Sequence, residues 1–159
     1  MSTLDSADVL IVGGGPVGLG AALELARFGI RSIVIEKNAS VATHPKARNF
    51  ATRTMEIAKG WGRSTYRRLQ SIDLPISWKH KMWFLETVTG KAFGSIDMDA
   101  FLSPGPDISA AVPIVSSQER LEVVMLDAAR ATGLVDVRFN NEVVRLIRGS
   151  EPNATDAAV

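Results

Sequence analysis

Short apolar runs alternate with amphipathic stretches along most of the chain. The run Val9–Val12, in which three of four residues are β-branched, is typical of a strand buried on both faces, and Ser32–Ile35 is a second such run. Between them, Leu19–Phe28 has helical spacing and is closed by Gly29, and the later run Val135–Phe139 predicts a third parallel strand. This order of elements predicts an α/β fold built on a βαβ unit.

Two further helices are predicted in the first half of the chain. Thr52 or Thr54 is placed to cap a short helix that continues towards Gly60. A second helix over Gly62–Ile72 is stopped by Pro75. Its apolar face consists of Tyr66, Leu69 and Ile72.

The last predicted helix begins near Ser117 and ends at Gly133. Ser116-x-x-Glu119 matches the capping box, in which a serine hydroxyl and a glutamate side chain pair with backbone amides of the first turn. The apolar stripe of this helix consists of Leu121, Val124, Met125 and Ala128.

The middle of the chain has the pattern of a β-hairpin. Met82–Val88 is rich in strand formers, Thr89-Gly90 is a turn signal, and Lys91–Ile96 returns as a second strand. The proline- and glycine-rich residues 101–113 predict a crossover loop. Three aromatic residues of this region either belong to the core or line a pocket for an aromatic substrate: Trp78, Trp83 and Phe84.

The end of the chain predicts more strand structure. After a turn at Asn140-Asn141, Glu142–Ile147 has a strand pattern, residues 148–155 are polar, and residues 156–159 begin another strand. A strand that opens at the last residue predicts that the chain is a fragment of a longer protein.

Composition narrows the possible functions. A length of 159 residues suits one domain, and 46% hydrophobic and 22% charged residues are ordinary for a globular chain. A net charge of +1 without charge blocks leaves no footprint for nucleic acid or an anionic membrane. The absence of cysteine excludes disulfides and thiolate sites, and the two histidines form no metal-ligand cluster. No secretory signal or membrane span is recognisable, so we expect a cytoplasmic protein.

The first strand runs into the glycine motif Gly13-x-Gly15-x-x-Gly18. Gly13 permits a sharp turn, Gly15 lets a pyrophosphate approach the backbone, and Gly18 allows close packing of helix and strand. Glu36, eighteen residues after Gly18, ends the second strand where an acid accepts hydrogen bonds from an adenosine ribose. Because that carboxylate would repel a 2′-phosphate, FAD or NAD is favoured over NADP. The alternative is a structural turn without a ligand.

Three other polar residues are candidates for cofactor contact. Arg48 and Arg53 flank a loop that returns towards the glycine turn, so each contacts a phosphate or flavin or is an ordinary surface arginine. Gln118 lies in the first turn of the last helix, where its amide either reaches a cofactor or is a solvated capping group.

Taken together, these residues resemble the N-terminal part of FAD-dependent aromatic-ring monooxygenases, the family of para-hydroxybenzoate hydroxylase, phenol hydroxylase and 3-(3-hydroxyphenyl)propionate hydroxylase-like enzymes. Three blocks carry the resemblance: Ile11–Lys37, His44–Glu56 and Ser117–Ala129. The second block, with His44-Pro45-Lys46-Ala47-Arg48, makes the match specific to this group of flavoproteins. It departs from the family at Ala51, where many relatives carry a small polar residue.

The resemblance implies a Rossmann-like FAD-binding fold and assigns roles within it. The FAD pyrophosphate would be held by Gly13, Gly15, Pro16, Val17 and Gly18. Glu36 would bind the adenosine ribose, with Lys37 beside the adenine and Val143 meeting the adenine through its backbone. Arg48 and Gln118 would contact the flavin and ribityl portions. Residues 1–75 and 114–159 would form the FAD-binding part, and residues 76–113 the start of a substrate-domain sheet and the crossover loop.

The resemblance also implies an oxidoreductase activity. In such enzymes NADH or NADPH reduces the flavin, oxygen adds to it, and the resulting flavin hydroperoxide hydroxylates a phenolic substrate. The cofactor supplies the chemistry, so no residue of this chain is assigned a catalytic role, and none a metal. The family's later Asp-Gly and Gly-Asp motifs are absent in context, which predicts an incomplete domain that is inactive alone. The alternatives are a non-catalytic ADP- or FAD-binding fragment and, less favoured, an NAD-dependent dehydrogenase domain.

Overall fold

A computed structural model of the chain describes residues 6–44, 46–103, 105, 107–148 and 155–158. In chain order the elements are β1 (Val9–Val12), α1 (Pro16–Arg27), β2 (Ser32–Glu36), β3 (Asn49–Phe50), α2 (Thr52–Lys59), α3 (Arg63–Ser71), α4 (Ile76–Lys79), β4 (Lys81–Leu85), β5 (Ala92–Asp97), α5 (Asp99–Leu102), β6 (Ile114–Val115), α6 (Gln118–Ala131), β7 (Val135–Phe139), β8 (Arg145–Arg148) and β9 (Thr155–Ala158).

A three-stranded parallel sheet in the order β1-β2-β7 forms the centre of the fold, as the apolar runs predict. Val9 pairs with Ser32, which pairs on its other side with Val135. Helices α1 and α6 pack against each other and against the sheet, and their apolar stripes form the core together with one face of β2. The sheet places the carboxyl ends of β1 and β2 side by side, which is where the glycine turn and Glu36 lie.

Strand β1 is not buried on both faces as predicted. Ile11 packs against the core, whereas Leu10 is exposed and Val12 is 66% exposed. The physical reason is that α1 and α6 cover one face only, and within the described residues β1 is an edge strand. An uninterrupted apolar run indicates a strand but does not tell which neighbours cover it.

Helix α1 begins at Pro16, three residues earlier than predicted. Proline has no amide hydrogen and a fixed φ, both of which suit the first position of a helix. The backbone amide of Leu19 donates to the carbonyl oxygen of Gly15 at 2.9 Å, which closes the first turn. Gly18 therefore lies inside the helix and not before it.

The predicted N-caps of α2 and α6 are wrong, although the helices themselves are confirmed. Ala51 occupies the N-cap of α2 and Ser117 that of α6, and neither helix has a side-chain cap hydrogen bond. The short antiparallel pairing of β3 with β6 keeps the two segments extended up to these positions. The Ser116 amide continues the pairing by donating to the Arg48 carbonyl oxygen at 2.8 Å. Helix α3 is confirmed, with Leu69 fully buried on its apolar face.

The predicted hairpin is confirmed as β4 and β5, but its side chains are exposed along both strands. Trp78 and Trp83 are 75% and 56% exposed, and Phe84 is exposed as well, so these aromatic residues are not core. No second layer among the described residues covers the hairpin. Its turn includes Val88, because the Gly90 amide donates to the Thr87 carbonyl oxygen at 3.0 Å and ends the pairing earlier than predicted.

Strands β8 and β9 pair as an antiparallel hairpin, with Arg145 opposite Ala158. The predicted strand from Glu142 begins only at Arg145, since residues 141–144 have no regular structure. The short helices α4 and α5 flank the β4–β5 hairpin and were not predicted; α5 lies partly in the segment predicted as a loop. The polar stretch 149–154 and Val159 lie outside the described residues.

Candidate functional site

The glycine turn joins β1 to α1 and leaves backbone amides without partners. Gly13 has a φ of +105°, a conformation that favours glycine, and its amide donates to the Ile35 carbonyl oxygen at 2.8 Å. Gly15 is the N-cap of α1 and supplies no side-chain cap. The amides of Val17 and Gly18, in the first turn, have no intrahelical acceptor. They present hydrogen-bond donors and the positive end of the helix dipole.

The glycines of this turn differ in the space around them. A Cβ atom at Gly15 would have Glu122 Oε1 as its nearest neighbour, at 4.0 Å, so the space above this backbone is open. A Cβ atom at Gly14 would lie 2.9 Å from the Cβ atom of Glu36, and one at Gly18 would lie 1.9 Å from the Gly13 carbonyl oxygen. Gly14 and Gly18 are therefore required by packing within the protein, whereas Gly15 leaves open space in which a ligand can approach the backbone.

A cavity of about 390 Å³ lies at the carboxyl ends of β1 and β2. Its walls are the glycine turn, Glu36, the loop formed by residues 38–44, Lys46 and the first two turns of α6. In open α/β sheets ligands bind in the crevice outside the carboxyl ends of the strands, and this cavity has that position. It contains a free cation as well, since no carboxylate among the described residues forms an ion pair with Lys46.

Glu36 ties the glycine turn to the loop that follows β2. Its Oε2 accepts a hydrogen bond from the Gly14 amide at 2.7 Å. Its Oε1 accepts from the Asn38 amide at 2.9 Å and from Asn38 Nδ2 at 2.5 Å. Burial raises the pKa of this carboxyl, but the hydrogen bonds from Asn38 and Gly14 and the charge of Lys37 outweigh it and hold the pKa below its ordinary value of 4.5. The group is thus a hydrogen-bond acceptor at neutral pH.

Gln118 and Glu122 form a buried pair on the cavity-facing side of α6. Gln118 Nε2 donates to Glu122 Oε1 at 2.6 Å, and the Ala42 amide donates to Glu122 Oε2 at 2.7 Å. Gln118 is buried, so the alternative of a solvated capping residue is wrong. The sequence analysis missed Glu122, which is 2% exposed; its signal was the spacing of four residues from Gln118 on one helix face.

The two candidate arginines have different surroundings. The backbone of Arg48 lies beside the start of α6, since the Gln118 amide donates to the neighbouring Ala47 carbonyl oxygen at 3.0 Å, yet its side chain is exposed and does not line the cavity. Arg53 pairs with Glu56 at 3.1 Å and is 81% exposed, which supports the surface interpretation for this residue. Lys46, which the sequence analysis did not single out, is the cation that lines the cavity.

The remaining predicted residues do not line the cavity. Pro16 and Val17 line a second, apolar cavity of about 420 Å³ against α2 and α6. Lys37 is exposed beside Glu36. Val143 is half-buried in the irregular segment after β7, which contacts the end of β2 through the Asn141 amide and the Glu36 carbonyl oxygen, 3.1 Å apart. The structure thus brings Gly14, Gly15, Glu36 and Gln118 to one cavity.

A parallel βαβ unit, a glycine turn with open backbone amides and a carboxylate at the end of the second strand define a dinucleotide-binding domain. A family model described as an FAD binding domain matches residues 6–157, and the chain belongs to this family. It resembles the FAD-dependent aromatic monooxygenases within it, as the residue pattern predicts.

Curated relatives of the chain are named as hydroxylases or monooxygenases. The chain is 28% identical over 144 residues to a putative polyketide hydroxylase of Streptomyces halstedii, a match that covers 89% of this chain and 25% of the relative. It is 29% identical over 144 residues to 4-methyl-5-nitrocatechol 5-monooxygenase of a Burkholderia species, with 90% and 26% of the two chains covered. The chain therefore spans about a quarter of the length of these relatives.

Solved structures agree with the fold. The flavin-dependent monooxygenase PieE, in complex with FAD and substrate, superposes with a TM-score of 0.79 at 28% identity over 93% of this chain and 26% of PieE. Aklavinone-11 hydroxylase, in a ternary complex with FAD and aklavinone, gives a TM-score of 0.78 at 27% identity over 99% and 30% of the two chains. Within the described ranges, no helix combines the length and apolarity needed to cross a bilayer.

Proposed function

We propose that this chain is the FAD-binding portion of a monooxygenase that hydroxylates a phenolic substrate, with NADH or NADPH as the reductant and oxygen as the co-substrate. The observation that carries the proposal is that the open backbone of Gly15 and the Glu36 carboxylate line one cavity, at the point where the unpaired amides of α1 begin. Family membership makes FAD the favoured dinucleotide.

The residues at the cavity fit an adenine dinucleotide. The donors of the α1 amino terminus suit a pyrophosphate, and a Cβ atom at Gly15 would stand in the open space that such a group needs. Glu36 Oε2 accepts one hydrogen bond and has a second lone pair for a ribose hydroxyl. We assign the pyrophosphate to Gly13, Gly15, Pro16, Val17 and Gly18, and the ribose to Glu36.

The other assignments depend on the family resemblance more than on the cavity. Gln118 lines the cavity and is proposed to meet the ribityl portion. Lys37 and Val143 are proposed to lie beside the adenine, near the end of β2. Arg48 is proposed to contact the flavin portion, which requires its exposed side chain to turn towards the cavity when the cofactor binds.

Bound FAD, once reduced by NADH or NADPH, would supply the activated oxygen that the reaction requires. The work of this chain is to bind, orient and partly enclose the cofactor. Gly15 and the α1 amides fix its phosphates, Glu36 fixes one end, and Gln118 fixes a further point at the cavity. We assign no residue of the chain to the chemical step itself.

A second candidate is that the chain alone binds ADP or FAD without catalysis. Two observations favour it for the isolated chain: the aromatic residues of the hairpin are exposed, and the chain spans about a quarter of the length of its relatives. We therefore expect binding from the 159 residues and activity only from a longer protein that contains them.

Titration of the purified chain tests both candidates. Flavin fluorescence should report saturable binding of FAD, and calorimetry should report binding of ADP at the same site in competition. Binding of NAD as tight as that of FAD would favour the dehydrogenase alternative, and failure to bind either FAD or ADP would overturn the proposal. In a longer protein containing this chain, a phenol should stimulate oxidation of NADH or NADPH.

A further inference from the structure

Glu122 is a buried carboxylate within the candidate site that has no role in the assignments above. It lies one helical turn after Gln118 on α6, it is 2% exposed, and it lines the cavity next to Gly15. A buried carboxylate is costly unless hydrogen bonds satisfy it. Both of its oxygens are satisfied, by Gln118 Nε2 at 2.6 Å and by the Ala42 amide at 2.7 Å.

The first of these hydrogen bonds determines which end of the Gln118 amide is left for a ligand. Since Glu122 Oε1 is an acceptor, the amide group that faces it at 2.6 Å is the NH₂ donor. The carbonyl oxygen of the planar amide is then turned away from Glu122. Among the described residues no group donates to that oxygen. Gln118 consequently offers the cavity an acceptor, which suits a hydroxyl or N–H group and not a phosphate oxygen.

The second hydrogen bond joins the same carboxylate to another segment that lines the cavity. Ala42 belongs to the loop of residues 38–44 and is 80 positions away from Glu122 in sequence. One side chain thus sets both the orientation of Gln118 and the position of this loop. If Glu122 is removed, the amide is free to rotate and to present its donor end.

We propose that Glu122 is a positioning residue: it holds the Gln118 amide with the carbonyl oxygen towards a hydroxyl-bearing part of the cofactor and fixes the Ala42 loop around it. The proposal rests on the proposed function, because it assumes that a flavin dinucleotide occupies the cavity. It predicts that Glu122 matters for the flavin-side half of the ligand more than for the ADP half, since ADP carries the phosphates and ribose that Gly15 and Glu36 are assigned.

The test compares FAD and ADP affinities for the 159-residue chain and its variants. Glu122→Gln and Gln118→Ala should each lower the ratio of FAD affinity to ADP affinity by about tenfold, the effect of one hydrogen bond. The double variant should lower it no further, because both changes remove the same interaction. Asp127→Asn, which removes an exposed carboxylate from the same helix, is the matched control and should leave the ratio unchanged.

The outcomes separate the two proposals. If the wild-type chain binds neither ligand, the proposed function fails. If both ligands bind but Glu122→Gln leaves the affinity ratio unchanged, or weakens FAD and ADP in parallel with the melting temperature, Glu122 is merely structural and the positioning proposal is overturned. Should Glu122→Gln not fold, NMR of the wild-type chain decides the matter. One side-chain NH₂ proton of Gln118 should then be protected from exchange, and exchange of both protons at the solvent rate would overturn the proposal.

Discussion

Gly18 lies directly against the carbonyl oxygen of Gly13, so closely that a Cβ atom at Gly18 would be 1.9 Å from that oxygen. The same Cβ atom would be 3.2 Å from Cγ2 of Ile11 in β1. The oxygen belongs to the backbone, which cannot move aside as a flexible side chain does. This contact sets the distance between the end of β1 and the first turn of α1, and with it the position of the free amides.

Substitution of Gly18 by alanine should therefore destabilise the fold. We expect Gly18→Ala to lower the free energy of unfolding by about 3 kcal/mol or more, because the methyl group and a backbone oxygen cannot both be accommodated. Urea denaturation measures the change. Gly20→Ala, in the same helix, is the control: its Cβ atom would meet Met125 Cε at 3.6 Å, an ordinary contact, so stability should hold or rise. Equal unfolding midpoints for Gly18→Ala and wild type would contradict the packing described.

Gly15→Ala should have the opposite profile, with stability kept and ligand binding lost. Gly15 has a φ of −75° that any residue adopts, and nothing lies closer than 4.0 Å to the position of the added methyl group. The methyl group would stand where a pyrophosphate approaches the backbone, so FAD and ADP should each bind at least about tenfold more weakly. Fluorescence and calorimetric titrations check this, again with Gly20→Ala as control. Unchanged affinity would show that the phosphates lie elsewhere.

Glu36 should make stability depend on pH in a defined direction. Because the pKa of its carboxyl is lower in the folded protein than its ordinary value of 4.5, ionised Glu36 stabilises the fold fully above that value. The stabilisation is lost as the pH falls through the lower, folded-state pKa. Glu36→Gln should cost about 1 kcal/mol at neutral pH, since two backbone amides lose a charged acceptor.

Urea denaturation of wild type and Glu36→Gln over a range of pH measures this difference. The free energies of unfolding of the two proteins should converge as the pH falls below 4.5, the ordinary pKa of the carboxyl. Glu86→Gln, at an exposed position in the hairpin turn, is the control. Its free energy of unfolding should differ little from that of wild type at any pH. A gap between Glu36→Gln and wild type that widens in acid would contradict the assigned pKa direction.

The β4–β5 hairpin should contribute little to the stability of the core. Trp83 is exposed, and the Lys81 ammonium nitrogen lies 5.1 Å from the centre of its ring. Trp83→Ser should therefore lower the free energy of unfolding by less than about 1 kcal/mol. Leu69→Ala, at a fully buried position of α3, should cost about 2–5 kcal/mol. Thermal unfolding of both variants provides the comparison. A large loss from Trp83→Ser would mean that the hairpin packs against the core after all.

Features determined by neighbouring residues were predictable from the sequence. The strands and helices that form the βαβ unit follow from apolar periodicity, and the turn at Gly13 follows from a backbone conformation that glycine tolerates. The residues at which the helices begin were less predictable. The caps of α2 and α6 fall on Ala51 and Ser117, because a tertiary pairing of β3 with β6 decides where the chain stops being extended.

The sequence by itself thus determined the order of strands and helices in the βαβ unit, the glycine turn and the acid at the end of the second strand, since these depend on local spacing and backbone freedom. Only the tertiary structure decided which faces are covered and which distant groups meet. It exposed Val12 and Trp83, which composition alone would bury, and it brought the Ala42 amide against the Glu122 carboxylate. The physical reason is that burial and long-range hydrogen bonds depend on neighbours in space, which hydrophobic periodicity does not encode.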